Sequence, residues 1–211
     1  MEGFVFSLFY LMRIEPSQKS RKQELRKDFR RRRAGIGEET RNLWNTLINQ
    51  HVVEYAGQTG PSTVAAYLAF DGEPDLSPAL QFLLARGVRL ALPVVQEAPG
   101  KPFITFNQWS GETVLRPNRY GIDEPQATEP IRITEIDLVL IPLVGWDRSG
   151  GRLGMGASFY DRLFQAFAES EHPVRMGIGY ALQEVDMIPS EPWDIRLHGV
   201  VTETGWFTCG D

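Results

Sequence analysis

The stretch GGRLGMGASFYDRLF, residues 150–164, concentrates the residues of this chain best suited to chemistry. Gly150, Gly151, Gly154 and Gly156 allow tight backbone approach, and successive amides ahead of a helix can cradle a phosphate. Arg152 can add a forked charged contact. Asp161 repels a bare phosphate but can hold a Mg²⁺ ion that bridges phosphate oxygens. The bland alternative, a glycine turn with Asp161 serving a helix N-terminus, explains the same residues equally well on composition. Neither the P-loop nor the dinucleotide fingerprint spacing is present. Glu73 and Asp75 could bind ligand amines, although their setting in FDGEPD favours turn roles. His51, His172 and His198 have no zinc-ligand spacing, and Ser158 is not in a nucleophile elbow. Cys209 reads as an inert thiol in a C-terminal tail.

The elements around these residues alternate. A helix is expected over about 19–34, closing near Gly35 and Gly37, and a second after GEET with Trp44, Leu47, Ile48 and Val52 at helical spacing. STVAAYLAF reads as a buried strand, SPALQFLLARG as a helix with Pro78 in its first turn, and VRLALPVV as a returning strand. Strand, helix, strand with short connections indicates parallel pairing. PFITFNQW is a further strand, followed by an extended excursion. IDLVLIPLVGW is the most apolar strand and belongs at the sheet centre. The glycine-rich stretch follows it and leads into a helix with Phe159, Leu163, Phe164 and Phe167 on one face. VRMGIGY and LHGVVTE complete the set. The expected fold is α/β: three layers, with an open, mainly parallel, doubly wound, Rossmann-like sheet between helices. Ligands in such folds settle at the carboxyl ends of the strands, which is where the glycine-rich stretch falls.

The 211 residues suit one catalytic domain, taken as 19–211, preceded by an extension over 1–18. The start lacks the features of a secretory signal; it reads as a mis-assigned beginning with translation from Met12, or else as a strand or a disordered tail. No apolar run reaches the ~18–20 residues of a membrane span. A single cysteine excludes an internal disulfide and fits a reducing, cytoplasmic setting. Net charge is −5, yet residues 19–33 hold nine basic and two acidic side chains. Such a run can be a nucleic-acid arm or a helix whose few cations face an anionic ligand. The acidic body of the chain favours the second, and no nucleic-acid partner is expected.

IPLVGWDRSGGRLGMGASFYDRL resembles the signature of the 5-formyltetrahydrofolate cyclo-ligase family: an apolar strand, an aromatic-Asp turn, then R-L-G-x-G-x-x-[FY]-Y-D. KQELRKDFRRRRAGI is similar to the family's N-terminal helix with its K-x-x-x-R pair. YLAFDGEPD, RYGIDEP and EPWDIRLHGVVTE match further segments in the right order, so the likeness spans about residues 20–204. It implies ATP-dependent cyclisation of 5-formyltetrahydrofolate with Mg²⁺, by a monomer acting on small molecules. Lys22 and Arg26, four apart on one helix face, would contact ATP phosphates. Arg152, Leu153, Gly154, Met155, Gly156, Ala157, Ser158, Phe159 and Tyr160 would form the nucleotide loop. Asp161 and Asp194 would hold Mg²⁺. Leu68 and Glu73, with Met155, Gly156, Ala157, Ser158 and Phe159, would bind the folate. No side-chain nucleophile is required. The alternative reading is a sugar-phosphate or CoA-ester enzyme on a similar scaffold. Two departures stand out: Ala157 and Ser158 replace glycines of the common pattern, and His198 stands where many relatives carry Asp or Pro. A replaced glycine that needs positive φ would strain the loop by about 1 kcal/mol.

Overall fold

The computed structural model describes residues 17–210. The expectations for the start of the chain therefore lie outside the described residues, apart from its last two positions. Helix α1 (Gln18–Ala34) is capped by the Ser17 hydroxyl, which accepts from Ser20 N at 3.2 Å. Helix α2 (Glu38–Thr59) ends at Gly60 in the left-handed conformation. Then come β1 (Thr63–Ala65), α3 (Ser77–Ala85), β2 (Arg89–Gln96) and β3 (Phe103–Trp109). Short strands β4 (Leu115–Pro117), β5 (Asp123–Pro125) and β6 (Pro130–Ile131) follow, and then β7 (Leu138–Pro142). Strands β8 (Gly145–Trp146) and β9 (Arg152–Leu153) precede α4 (Phe159–Phe164). The chain ends with β10 (Val174–Ile178), β11 (Gly199–Thr202) and β12 (Gly205–Thr208).

An eight-stranded sheet runs β12-β11-β10-β7-β1-β2-β3-β6. Strands β2, β1, β7, β10 and β11 are parallel, while β12, β3 and β6 join antiparallel at the two edges. Strand β7 is central, as its unbroken apolar run predicts, because a parallel strand is covered on both faces. Its side chains alternate. Leu138 and Leu140 enter the core beneath α2 and α3, with Ile48, Val52, Leu80 and Leu90. Val139 and Ile141 enter the opposite core with Phe106, Phe164 and Val200, beneath α4. The three-layer α/β expectation holds.

Three local expectations need correction. The strand expected through Phe70 stops at Ala65; Ala66 N still donates to Ala91 O at 2.9 Å. Beyond it the chain crosses the carboxyl edge of the sheet, and Tyr67 Oη closes the loop by donating to Pro74 O at 2.9 Å. The helix after Ser158 is only six residues long, with a 3-10 turn over Gln165–Phe167. Phe159 is not on its core face: its ring meets Tyr120 at 6.1 Å instead. The end of the chain is no tail, because β12 pairs with β11 and Cys209 N donates to His198 O at 2.8 Å. The Cys209 thiol is half-buried, and burial pushes its pKa up to about 11, which leaves it unreactive at neutral pH.

Candidate active site

Helix α1 lies at the carboxyl end of β7 and wedges Phe29 against Val144, Leu153 and Ile188. That packing turns Lys22 and Arg26 toward the segments that leave the sheet. Lys22 Nζ is ion-paired with Asp194, and Arg26 Nε donates to Gly154 O at 2.8 Å. Burial lowers the Arg26 pKa from its ordinary value, while Asp194 and Asp161 pull it back up. Both carboxylates therefore face this cation. Arg152 Nη2 donates to Asp161 Oδ1 at 2.6 Å, and Ile195 N reaches the same oxygen at 3.3 Å. Asp194 Oδ2 also accepts from Glu191 N at 2.8 Å. Residues from α1, β9, α4 and the 191–195 segment thus meet in one cluster.

The glycines divide into two groups. A Cβ on Gly151 would sit 2.2 Å from Asp147 Oδ2, and Gly150 is pressed against Leu197 O in the same way. These two glycines serve packing, not ligand approach. Asp147, only 1% exposed, accepts from Ser149 N, Ser149 Oγ and Gly151 N through Oδ1, and from Ile188 N at 2.7 Å through Oδ2. Burial pushes its pKa up, but those donors outweigh it and hold it below the usual carboxylate range. Gly156, at φ +107°, instead faces the Arg26 guanidinium and is exposed. Met155 and Ala157 are exposed beside it. Ser158 adopts φ +52°, ψ +33°, so one of the two glycine replacements does sit in the left-handed region. Leu153 is set apart from the rest of the loop, since its side chain is core and its carbonyl accepts from Val144 N at 2.7 Å.

The segment after β1 forms the neighbouring wall. Leu68 is half-buried against the core. Glu73 Oε2 accepts from Phe70 N at 3.1 Å, closing the turn around Asp71 and Gly72. Its pKa is pushed up to about 7 by burial, against the Phe70 N–H and the Arg33 charge, with Asp71 adding to the rise. Glu73 and Arg152 both act on Tyr160, whose ring lies 5.6 Å beneath the Arg152 guanidinium, so the Glu73 turn lies beside the cluster. Asp75 keeps the turn role, accepting from Ser77 N at 2.9 Å.

The model of the 5-formyltetrahydrofolate cyclo-ligase family matches residues 18–203. The chain belongs to that family. It is 33% identical over 177 residues to the Escherichia coli 5-formyltetrahydrofolate cyclo-ligase, covering 82% of this chain and 95% of that one. It is 29% identical over 183 residues to the cyclo-ligase of Haemophilus influenzae, covering 86% and 97%. The solved 5,10-methenyltetrahydrofolate synthetase of Aquifex aeolicus superposes with a TM-score of 0.72 at 28% identity, covering 90% of this chain and 93% of that one.

Within this cyclo-ligase chain, the basic run of α1 is largely spent internally. Arg31 and Arg32 pair with Asp28, while Arg30 and Arg33 both grip Asp71. The cation nearest the phosphate-cradle expectation, Arg152, is committed to Asp161. Several residues escaped the sequence reading. Asp147 stands in the aromatic-Asp turn of the family signature, but nothing in the sequence marks it as the acceptor that holds the loop. Arg162 donates to Ala157 O at 2.8 Å and Pro102 O at 2.6 Å, fastening the glycine-rich loop to the turn between β2 and β3. Arg33 was hidden inside a run of four arginines. His198, the other departure, is occupied by Arg175, whose Nη2 lies 2.7 Å from its Nε2.

Proposed function

We propose that this cleft converts 5-formyltetrahydrofolate to 5,10-methenyltetrahydrofolate with consumption of ATP. Lys22 and Arg26 take the phosphates, the exposed stretch 155–157 borders them, and Glu73 with Leu68 holds the folate alongside Met155 and Phe159. The carrying observation is the convergence of Lys22, Arg26, the glycine-rich loop and two aspartates beside the Glu73 turn.

The formyl amide oxygen is a poor nucleophile and a worse leaving group. Its attack on the γ-phosphate breaks the bond to ADP and gives an imidate phosphate. The nitrogen at position 10 then adds to the formyl carbon, loses its proton and expels phosphate. What the protein must supply is alignment and charge neutralisation. At the phosphate end, away from the Glu73 turn, Lys22, Arg26 and Arg152 outnumber Asp161 and Asp194 by one positive charge, which favours a polyanion there.

The aspartates fit a Mg²⁺ ion. The hydrogen bonds to Asp161 fall on Oδ1 and those to Asp194 on Oδ2, leaving the second oxygen of each carboxylate without a partner among the described residues. No group of three or more His, Cys, Asp or Glu forms a metal cage among those residues. One or two carboxylates completed by phosphate oxygens and water is the usual Mg²⁺ arrangement. Asp161 and Asp194 would hold the ion, and when bound it would supply charge neutralisation for the phosphates of ATP.

The test is direct. Folded protein given ATP, Mg²⁺ and 5-formyltetrahydrofolate generates the methenyl chromophore. Absence of that absorbance change rejects the proposal.

A further inference from the structure

Beneath the Glu73 turn lies a buried cation with no role in the scheme above. Arg33, in the last turn of α1, is 1% exposed. Its Nη2 donates to Asp71 Oδ2 at 2.8 Å, its Nη1 reaches Leu143 O at only 3.5 Å, and its Nε is buried with no partner among the described residues. Asp71 cannot neutralise it alone, because Arg30 also takes both Asp71 oxygens, at 2.8 and 3.2 Å. A guanidinium buried with half a counter-charge is costly to keep, so its position calls for an explanation. Asp71 itself is held at φ +52°, and Arg41 Nη1 donates to Gly72 O at 3.3 Å. The turn that carries Glu73 is thus clamped from within the fold.

The charged and titratable groups around Glu73 are few. Arg33 of α1 and Asp71 of its own turn act on it electrostatically, and its charge in turn acts on Tyr67 at the β1 exit and Tyr160 of α4. Arg33 also faces Tyr180, beyond β10. It is the one cation among the groups acting on Glu73.

We propose that Arg33 is a positioning residue for folate binding: it grips Asp71 to fix the turn and supplies the counter-charge for the Glu73 carboxylate that meets the pterin amines. This rests on the reading of Glu73 as a folate-binding residue. Burial drives Glu73 toward its neutral form and Arg33 opposes that, so the two effects set where folate binding switches on with pH.

The experiment measures kcat and both KM values of the full chain across neutral pH. Arg33→Met is expected to raise the KM for 5-formyltetrahydrofolate about tenfold at pH 7 while kcat and the KM for ATP stay within about twofold. It also moves the pH midpoint of the folate KM upward, whereas Arg33→Lys keeps the midpoint near that of the parent. In a Glu73→Gln background, Arg33→Met adds nothing further to the folate KM. An unmoved midpoint, an equal rise in the KM for ATP, or a full effect in the Glu73→Gln background overturns the proposal. A parental folate KM in Glu73→Gln alone instead rejects Glu73 as a folate contact. If Arg33→Met does not fold, Asp71→Asn decides: it breaks the grip but leaves the cation, so the folate KM rises without an upward midpoint. An unchanged folate KM in Asp71→Asn overturns the proposal.

Discussion

Two residues of the cleft are held in states their chemistry resists, and each yields a measurement. Ser158 occupies the left-handed region at φ +52°, which disfavours an L-residue, whereas its neighbour Ala157 does not. Ser158→Gly should therefore be more stable than Ala157→Gly by about 1 kcal/mol, since both carry the same glycine entropy cost and only the first relieves strain. Thermal denaturation of the two variants checks this, and equal melting temperatures reject the strain. Glu73 is the second case. Its pKa of about 7 lies above the ordinary 4.5, so the folded state binds the proton more tightly than the unfolded chain does. Unliganded stability should fall as pH rises from about 4.5 to about 7 and be flat above. Glu73→Gln removes that slope and is more stable than the parent at pH 8, as denaturant titrations at the two ends of the window would show.

At the scale of elements, the β8–β9 ribbon owes its shape to Asp147. This carboxylate accepts from the amides of Ser149 and Gly151 within the five-residue connection and from that of Ile188 across the fold. Asp147→Asn should cost about 2 kcal/mol, because it turns an amide nitrogen toward donors that would be left unpaired. The Asp147 pKa is depressed below 3.8, so its contribution is present above that value and is lost as pH falls through the folded pKa. The gap between Asp147→Asn and the parent should narrow in acid, and a gap constant with pH would contradict this role. The same ribbon marks where sequence reading reached its limit. Strand β7 was legible because an unbroken apolar run has one home in a parallel sheet. Helices α1 to α3 were legible from spacing and from Gly and Pro at their ends. A phosphate cradle and a plain turn stay equally open for Gly150 and Gly151 on sequence, because the Asp147 carboxylate and the Leu197 carbonyl that exclude a side chain there cannot be inferred from neighbouring letters. Strand β12 was missed because an edge strand of four residues carries little periodic signal. Arg33 differs from the arginines beside it only in burial, a property of the fold.

On the scale of the whole molecule, the cleft draws on segments from both ends of the described chain. Lys22 is paired with Asp194, 172 residues away, and Arg26 with Gly154, 128 away. A ligand that spans such contacts stabilises the global fold rather than one loop, by mass action on the native state. ATP with Mg²⁺ at about one hundred times its dissociation constant should add about 2.7 kcal/mol, which for a chain of this size raises the melting temperature by about 5–10 °C. Asp161→Asn keeps the side-chain shape and should retain most of the unliganded stability. It should retain the modest shift given by ATP without Mg²⁺, and lose the increment that Mg²⁺ adds in the parent. The loss should be partly overcome by raising Mg²⁺, because Asp194 still supplies an oxygen. If Asp161→Asn shows the full Mg²⁺-dependent increment at limiting Mg²⁺, the carboxylate does not hold the ion. Its bond to Arg152 would then be its whole task.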